Sequence, residues 1–225
     1  MAYGIEAVNS NNEKVIQADL PMYVKVRSGT LYPVAGGGWN GIYSYMINGT
    51  NAEPSGSEET FYTTPVGSWV SYFPFGLPSG NGRVPTGQMS TTQTTLEYTV
   101  FDSITNVGPS SDTYGMRVYN SSGALCYDSG RETARVSDNV SLFSTHTHPQ
   151  TQTINSTGNC VATRSPFFST FNSTNVYGNA MRRISSTQWV SETRVVNGLI
   201  YNNAYVYDYN GLMHDVGVNA LIGHV

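Results

Sequence analysis

The sequence predicts an all-β protein, an antiparallel sandwich or barrel-like set of sheets, built either as one continuous domain or as two related β modules. Three observations predict it. Apolar residues recur at every second position in short runs, the runs are separated by clusters of Gly, Asn, Ser and Pro, and no stretch carries a capped helical repeat. The composition agrees: charged residues make up 12% of the 225-residue chain, about half the usual ~25% share. Sixteen Tyr stand against eight Phe and three Trp, on a background rich in Gly, Ser, Thr and Asn. Tyr and Thr fit half-buried pleated surfaces, whereas Gly and Asn supply turns.

The strands follow in order. In Met22–Arg27, Met22, Val24 and Val26 fall on one face, with Lys25 and Arg27 on the other. Gly41–Ile47 and Ser68–Phe73 are aromatic runs apolar on both faces, which predicts strands covered on both sides. In Thr95–Phe101, Leu96, Tyr98 and Val100 line one face against Glu97 and Thr99. Gly36–Gly38, Asn48-Gly49 and the segment Pro74–Gly87 mark turns and a long connection. An internal echo is also present. Tyr3-Gly-Ile-Glu-Ala-Val-Asn-Ser10 matches Tyr114-Gly-Met-Arg-Val-Tyr-Asn-Ser121 at constant offset, and each copy reads as strand, polar turn, strand. In the second copy the turn is Asn120-Ser-Ser-Gly123, where Gly123 supplies the positive φ a hairpin loop needs. The echo divides the chain into 1–107 and 112–225, with Gly108–Asp112 as the link.

Composition excludes several function classes. Only 11 Lys and Arg and a net charge of −4 argue against binding of nucleic acid, which needs clustered cations. No apolar run approaches the ~20 residues of a membrane-spanning helix, and the first ten residues have neither cationic nor apolar signal regions, so the expectation is a protein made in the cytoplasm. Cys126 and Cys160 make no disulfide framework and are expected as buried, reduced thiols. No Gly-x-Ser-x-Gly elbow or His-Glu-x-x-His run is present, and Gly36–Gly38 precedes Trp39 rather than a phosphate-binding Lys. His214 with Asp215 or Glu192 lacks metalloenzyme spacing, so the reading is that the chain is not an enzyme.

The opening Met-Ala-Tyr-Gly, the alternating strand, the Asn-rich turn and the returning strand through Val15-Ile16 resemble the N-terminal β module of small tailed-bacteriophage structural proteins, of minor tail, tail-tip or fibre type. The second copy, Tyr114 to Gly130, is closer to that pattern, while the first departs from it at Asn11-Asn12. The resemblance implies a virion component of tail tip, fibre or collar, assembled as a homo-oligomer, with a trimer favoured. Its partners would be copies of itself, neighbouring tail proteins and a host surface receptor. A receptor- or glycan-binding module or a capsid decoration protein is the alternative.

Two further features suit such a protein. In Ser144–Pro149, His146 and His148 stand at i and i+2, on one face of an extended chain. Two imidazoles are too few for a closed metal site, but three copies about a threefold axis would offer six nitrogens to iron or another transition metal, an arrangement trimeric phage fibres use. In Tyr201–Tyr209, the rings of Tyr201, Tyr205, Tyr207 and Tyr209 share one strand face, a stripe suited to a subunit interface or recognition surface. Phe75 and Leu77, in the Pro74–Gly87 connection, are the other candidates for contact.

Overall fold

The computed structural model describes residues 6–8, 14–17, 21–33, 43–47, 50–73, 77–79, 82–84, 87–90, 95–142, 151–163, 176–196 and 218–224. The protein is all-β and antiparallel, with one short helix. Strands β1 (Glu6–Val8) and β2 (Lys14–Gln17) form a hairpin, followed by β3 (Tyr23–Leu31), β4 (Tyr43–Met46), β5 (Glu59–Thr63) and β6 (Trp69–Phe73). A small hairpin of β7 (Leu77–Ser79) and β8 (Gly82–Val84) precedes β9 (Gly87–Ser90), β10 (Leu96–Ser103) and helix α1 (Ile104–Val107). Then come the hairpin of β11 (Arg117–Tyr119) and β12 (Leu125–Asp128), and β13 (Arg135–Leu142), β14 (Thr151–Asn155), β15 (Cys160–Thr163), β16 (Val176–Ser185), β17 (Gln188–Val196) and β18 (Val218–His224).

Twelve of these strands make two six-stranded sheets. Sheet I runs β13-β18-β15-β5-β10-β3 and sheet II runs β14-β17-β16-β6-β9-β4. The main core lies between them. Leu31, Tyr62, Leu96, Tyr98, Val100, Val161 and Ile222 of sheet I pack with Tyr45, Val70, Ile154, Met181 and Trp189 of sheet II. Leu96, Tyr98 and Val100 thus occupy the face that their alternation predicts. Sheet I is also covered on its other face, where Phe61, Phe101, Cys160 and Ala162 form a second cluster with Ala134 and Leu221. The rings of Phe61 and Phe101 meet edge to face, centroids 5.6 Å apart. This second cover explains why Thr99, expected on a polar face, is buried.

Sheet I curls back on itself at one corner. Its edge strand β3 meets the segment that leads into the other edge strand, β13, where Val24 bridges Thr133, the Lys25 N–H donates to the Glu132 carbonyl at 2.8 Å, and the Ala134 N–H donates to the Tyr23 carbonyl at 3.0 Å. That contact carries the methyl group of Ala134 onto the second cluster. On β3 the simple alternation fails: Val24 is fully buried while Val26 is 40% exposed. A bulge is the reason. Arg27 pairs with Val100 and Lys25 with Phe101, which leaves Val26 unopposed and shifts the faces by one residue.

The two halves of the chain match strand for strand. β3, β4, β5, β6, β9 and β10 are laid into sheets I, II, I, II, II and I, and β13, β14, β15, β16, β17 and β18 repeat that series. The pairings β3–β10, β10–β5, β4–β9 and β9–β6 recur as β13–β18, β18–β15, β14–β17 and β17–β16. The halves join at the sheet centres, where β5 pairs with β15 and β6 with β16, so strands from both sides of Gly108–Asp112 share the same hydrogen-bond ladders. The path therefore has an approximate twofold repeat. The β7–β8 hairpin interrupts it in the first half, inside what the sequence marks as the long Pro74–Gly87 connection. No helix among the described residues is long and apolar enough to cross a membrane.

Candidate interaction site

The echo in the sequence is an echo in the backbone. In the first hairpin Glu6 pairs with Gln17, Ala7 with Ile16 and Val8 with Lys14, with a register shift between Ala7 and Val8. In the second, Arg117 pairs with Asp128, Val118 with Tyr127 and Tyr119 with Leu125, shifted between Val118 and Tyr119. Strand lengths, register and bulge agree residue for residue at a step of 111 positions, as from Glu6 to Arg117. Both hairpins stand outside the two main sheets.

The second hairpin is held by a buried carboxylate. Asp128, 3% exposed, accepts the Ser110 N–H at 2.8 Å, the Ser110 hydroxyl at 3.0 Å, the Gly130 N–H at 2.8 Å and the Arg117 Nε–H at 3.1 Å. Burial by itself would raise its pKa. The donors from the Ser110 and Gly130 backbone, the Ser110 hydroxyl and Arg117 outweigh that and hold it at about 2. Arg117 extends the clamp by donating from Nη2 to the carbonyls of Ser110 and Asp112, at 2.8 and 3.0 Å. Arg131 adds a bond from Nη2 to the Pro109 carbonyl at 2.7 Å. The segment Gly108–Asp112 is thereby strapped to the hairpin.

The turn is set by local chemistry. Asn120 Oδ1 accepts from the N–H groups of Ser122 and Ala124, at 3.0 and 2.9 Å, and from the Ser122 hydroxyl at 2.7 Å. Gly123 has φ +81°, the left-handed conformation its place in the turn predicts. Beneath the hairpin, Leu125 packs on Val24 and Ile104, with Met22 and Val107 alongside, and the Met22 N–H donates to the Cys126 carbonyl at 3.0 Å. The outer side is different. Tyr114, Met116 and Tyr119 are 91%, 42% and 51% exposed, an aromatic and apolar surface on a rigid mount. The Arg117–Asp128 clamp was not foreseen, although it follows once the Asn120–Gly123 turn fixes the register, because the two residues then face each other across the hairpin.

The other candidate residues are placed as follows. Leu77 begins β7 and pairs with Val84. Phe75, His146, His148, Tyr201, Tyr205, Tyr207 and Tyr209 lie outside the described residues. Among the described residues no three His, Cys, Asp or Glu side chains gather in a way that could hold a metal ion. Cys126 and Cys160 are free and buried. What the site can do chemically is present aromatic rings and a thioether to another surface. No protein-family model, curated protein or solved structure matches the chain.

Proposed function

We propose that the chain is a structural component of a tailed-bacteriophage virion, of the tail tip, fibre or collar, that acts by homo-oligomeric assembly and by docking on neighbouring virion proteins. The observation that carries this reading is the repeated hairpin. The two segments whose residues resemble the phage module, beginning at Tyr3 and Tyr114, each run into a hairpin of the same register, set apart from the sheets. A hairpin set apart from the two main sheets, with Tyr and Met exposed in the second copy, suits contact with another protein better than it suits chemistry.

The test is native mass spectrometry of the chain purified without a histidine tag or added metal, paired with gold-labelled antibody on virions of the phage that encodes it. A homo-oligomer together with label at the tail supports the proposal. A trimer carrying one metal ion would add the His146 and His148 site on a threefold axis. A monomer whose label covers the head would overturn the tail reading in favour of a decoration protein.

A further inference from the structure

The two halves of the chain meet across their internal repeat. β5 of the first half pairs with β15 of the second and β6 with β16, while Ala134 donates its N–H to the Tyr23 carbonyl. The packing there is unequal. Thr99 pairs with Phe61 and Leu221 with Ala162, so register matches Phe61 with Ala162 as it matches Phe101 with Gly223. The first half thus brings both rings of the second core cluster, and the second half brings Cys160 and Ala162. Two first halves would press four rings into a space that holds two, so a first half accepts a second half and not another first.

That fit does not require both halves to belong to one molecule. What ties them is the path from α1 into the second hairpin. Leu125 of that hairpin sits on Val24, Ile104 and Val107 of the first half. The strap shortens the tether that leads there. Asp128 holds the Ser110 N–H and hydroxyl, and Arg117 and Arg131 hold the carbonyls of Ser110, Asp112 and Pro109.

Gly108, at φ +80°, turns the chain out of α1, and Ser110 is already anchored. From Val107 to Ser110 the chain reaches at most ~10 Å, so a strapped hairpin has to sit beside its own α1. With the strap open, the path from Val107 to Arg117 reaches up to ~35 Å, enough to seat the hairpin on another molecule.

We propose that the strap of Ser110, Asp128 and Arg117 is a latch that keeps the two halves within one chain, and that its release lets a first half close on the second half of another copy, as an exchanged dimer. The surface used is the interface already inside the molecule, and the closed and exchanged forms differ along the tether alone. The strap decides between them because a strapped tether does not reach a second molecule. This inference goes beyond the function proposed above and does not rest on it.

The test is a disulfide that reports which chain each half came from. The Thr64 N–H donates to the Asn159 carbonyl at 2.9 Å, so Thr63 and Cys160 are the next, non-hydrogen-bonded pair of the β5–β15 ladder. Such pairs stand about 4.5 Å apart at Cα, close enough for a bridge. The full-length chain with Thr63→Cys, and with Cys126→Ala to remove the other thiol, is refolded from urea across a concentration series, oxidised and run on a non-reducing denaturing gel. A closed chain bridges to itself and runs as a monomer, whereas exchanged halves bridge between chains and run as a dimer. Association through any other surface leaves no covalent dimer.

Adding Asp128→Asn or Ser110→Pro is expected to raise the covalent dimer fraction about tenfold or more at the highest concentration, as loss of charge-assisted hydrogen bonds implies. Refolding at high dilution should return both to bridged monomer. Ser110→Pro removes two donors from the linker side and leaves the Arg117–Asp128 pair in the hairpin. It therefore decides the matter should a circular-dichroism melt show that Asp128→Asn does not fold. Bridged monomer at every concentration in the folded variants, or a parent already as dimeric as they are, would overturn the latch.

Discussion

Val26 and Ser137 occupy one and the same place in the two edge strands of sheet I. Each is the residue left unopposed at a bulge, Val26 between the pairs Lys25–Phe101 and Arg27–Val100, Ser137 between Val136–Gly223 and Asp138–Ile222. The step between them is 111 residues, the step that also relates the hairpins. Val26 is 40% exposed and apolar, whereas Ser137 uses its hydroxyl on the Ser156 hydroxyl at 3.0 Å and the Ile222 carbonyl at 3.1 Å. A bulge kept in place while its residue changes from apolar to polar is a feature of the backbone path. It lets each edge strand turn over the corner where Val24 meets Thr133.

Asp128→Asn is expected to loosen the second hairpin by roughly 2 kcal/mol, the usual cost of leaving buried donors without a charged partner. The pH dependence gives the sharper reading. The folded pKa of about 2 lies below the ordinary aspartate value, so the clamp is at full strength above about pH 4. It is lost progressively as pH falls from there through about 2. Acid melts of wild type should steepen in that window, and those of Asp128→Asn should be flatter. Equal slopes would mean that the carboxylate is not the strap.

The fold was legible where local pattern and long-range packing agree. Leu96, Tyr98 and Val100 alternate in sequence and alternate in β10, because nothing interrupts that stretch of strand. Val26 misled because a bulge is set by the sheet's need to bend, which the residues of β3 alone do not encode. The β7–β8 hairpin was missed within an expected loop, although its pairing of Ser79 with Gly82 leaves the two-residue link Gly80-Asn81, a combination that signals a tight turn. The strand-by-strand repeat was invisible beyond the hairpins for a physical reason. A core position demands volume and polarity suited to its neighbours, so Phe101 and Gly223 serve matched positions once those neighbours differ.

Arg27→Lys should destabilise the loop from Thr50 to Glu58. Arg27 meets both oxygens of Glu58, at 2.5 and 2.6 Å, and donates to the carbonyls of Asn51 and Glu53, at 2.6 and 2.9 Å. The fork holds the Glu58 carboxyl below its ordinary pKa, the Arg27 hydrogen bond being the main cause. A lysine ammonium reaches one carboxylate oxygen but cannot span four acceptors. The pair is partly exposed, so a loss of only about 1 kcal/mol is expected. Hydrogen exchange should accelerate at Ser55, whose N–H lies 2.8 Å from Glu58 Oε2. Unchanged protection there would show that the loop holds itself.

The thiols should be silent in the native protein. Cys160 is fully buried, and burial pushes its pKa up to about 12, so almost no thiolate exists at pH 8. Cys126, in β12 of the second hairpin, is 1% exposed. A chromogenic disulfide reagent at pH 8 should therefore titrate no thiol before denaturant is added and two after. If one thiol reacts early, it is expected to be Cys126, released by opening of the hairpin, and Asp128→Asn should speed it. Early reaction of Cys160 would mean that the second core cluster opens to solvent.

Trp189 and Gly158 make one contact from two sides, and their substitutions should not add. The Trp189 indole N–H donates to the Gly158 carbonyl at 2.9 Å, with the ring fully buried between the sheets. Gly158 itself has no room for a side chain, because a Cβ would lie 2.5 Å from Ile222 Cγ2 and 2.6 Å from the Gly223 carbonyl oxygen. Trp189→Phe leaves that carbonyl without its donor and opens a void, at a cost of roughly 2 to 3 kcal/mol. Gly158→Ala must push the chain off β18 and so drags the same carbonyl from the indole, at a cost of about 1 to 3 kcal/mol. Once either change has broken the bond, the other no longer loses it. Urea unfolding of the double variant should fall short of the summed losses by about 0.5 kcal/mol or more. Strict additivity would mean that the indole bond contributes nothing and that Trp189 acts through its volume alone.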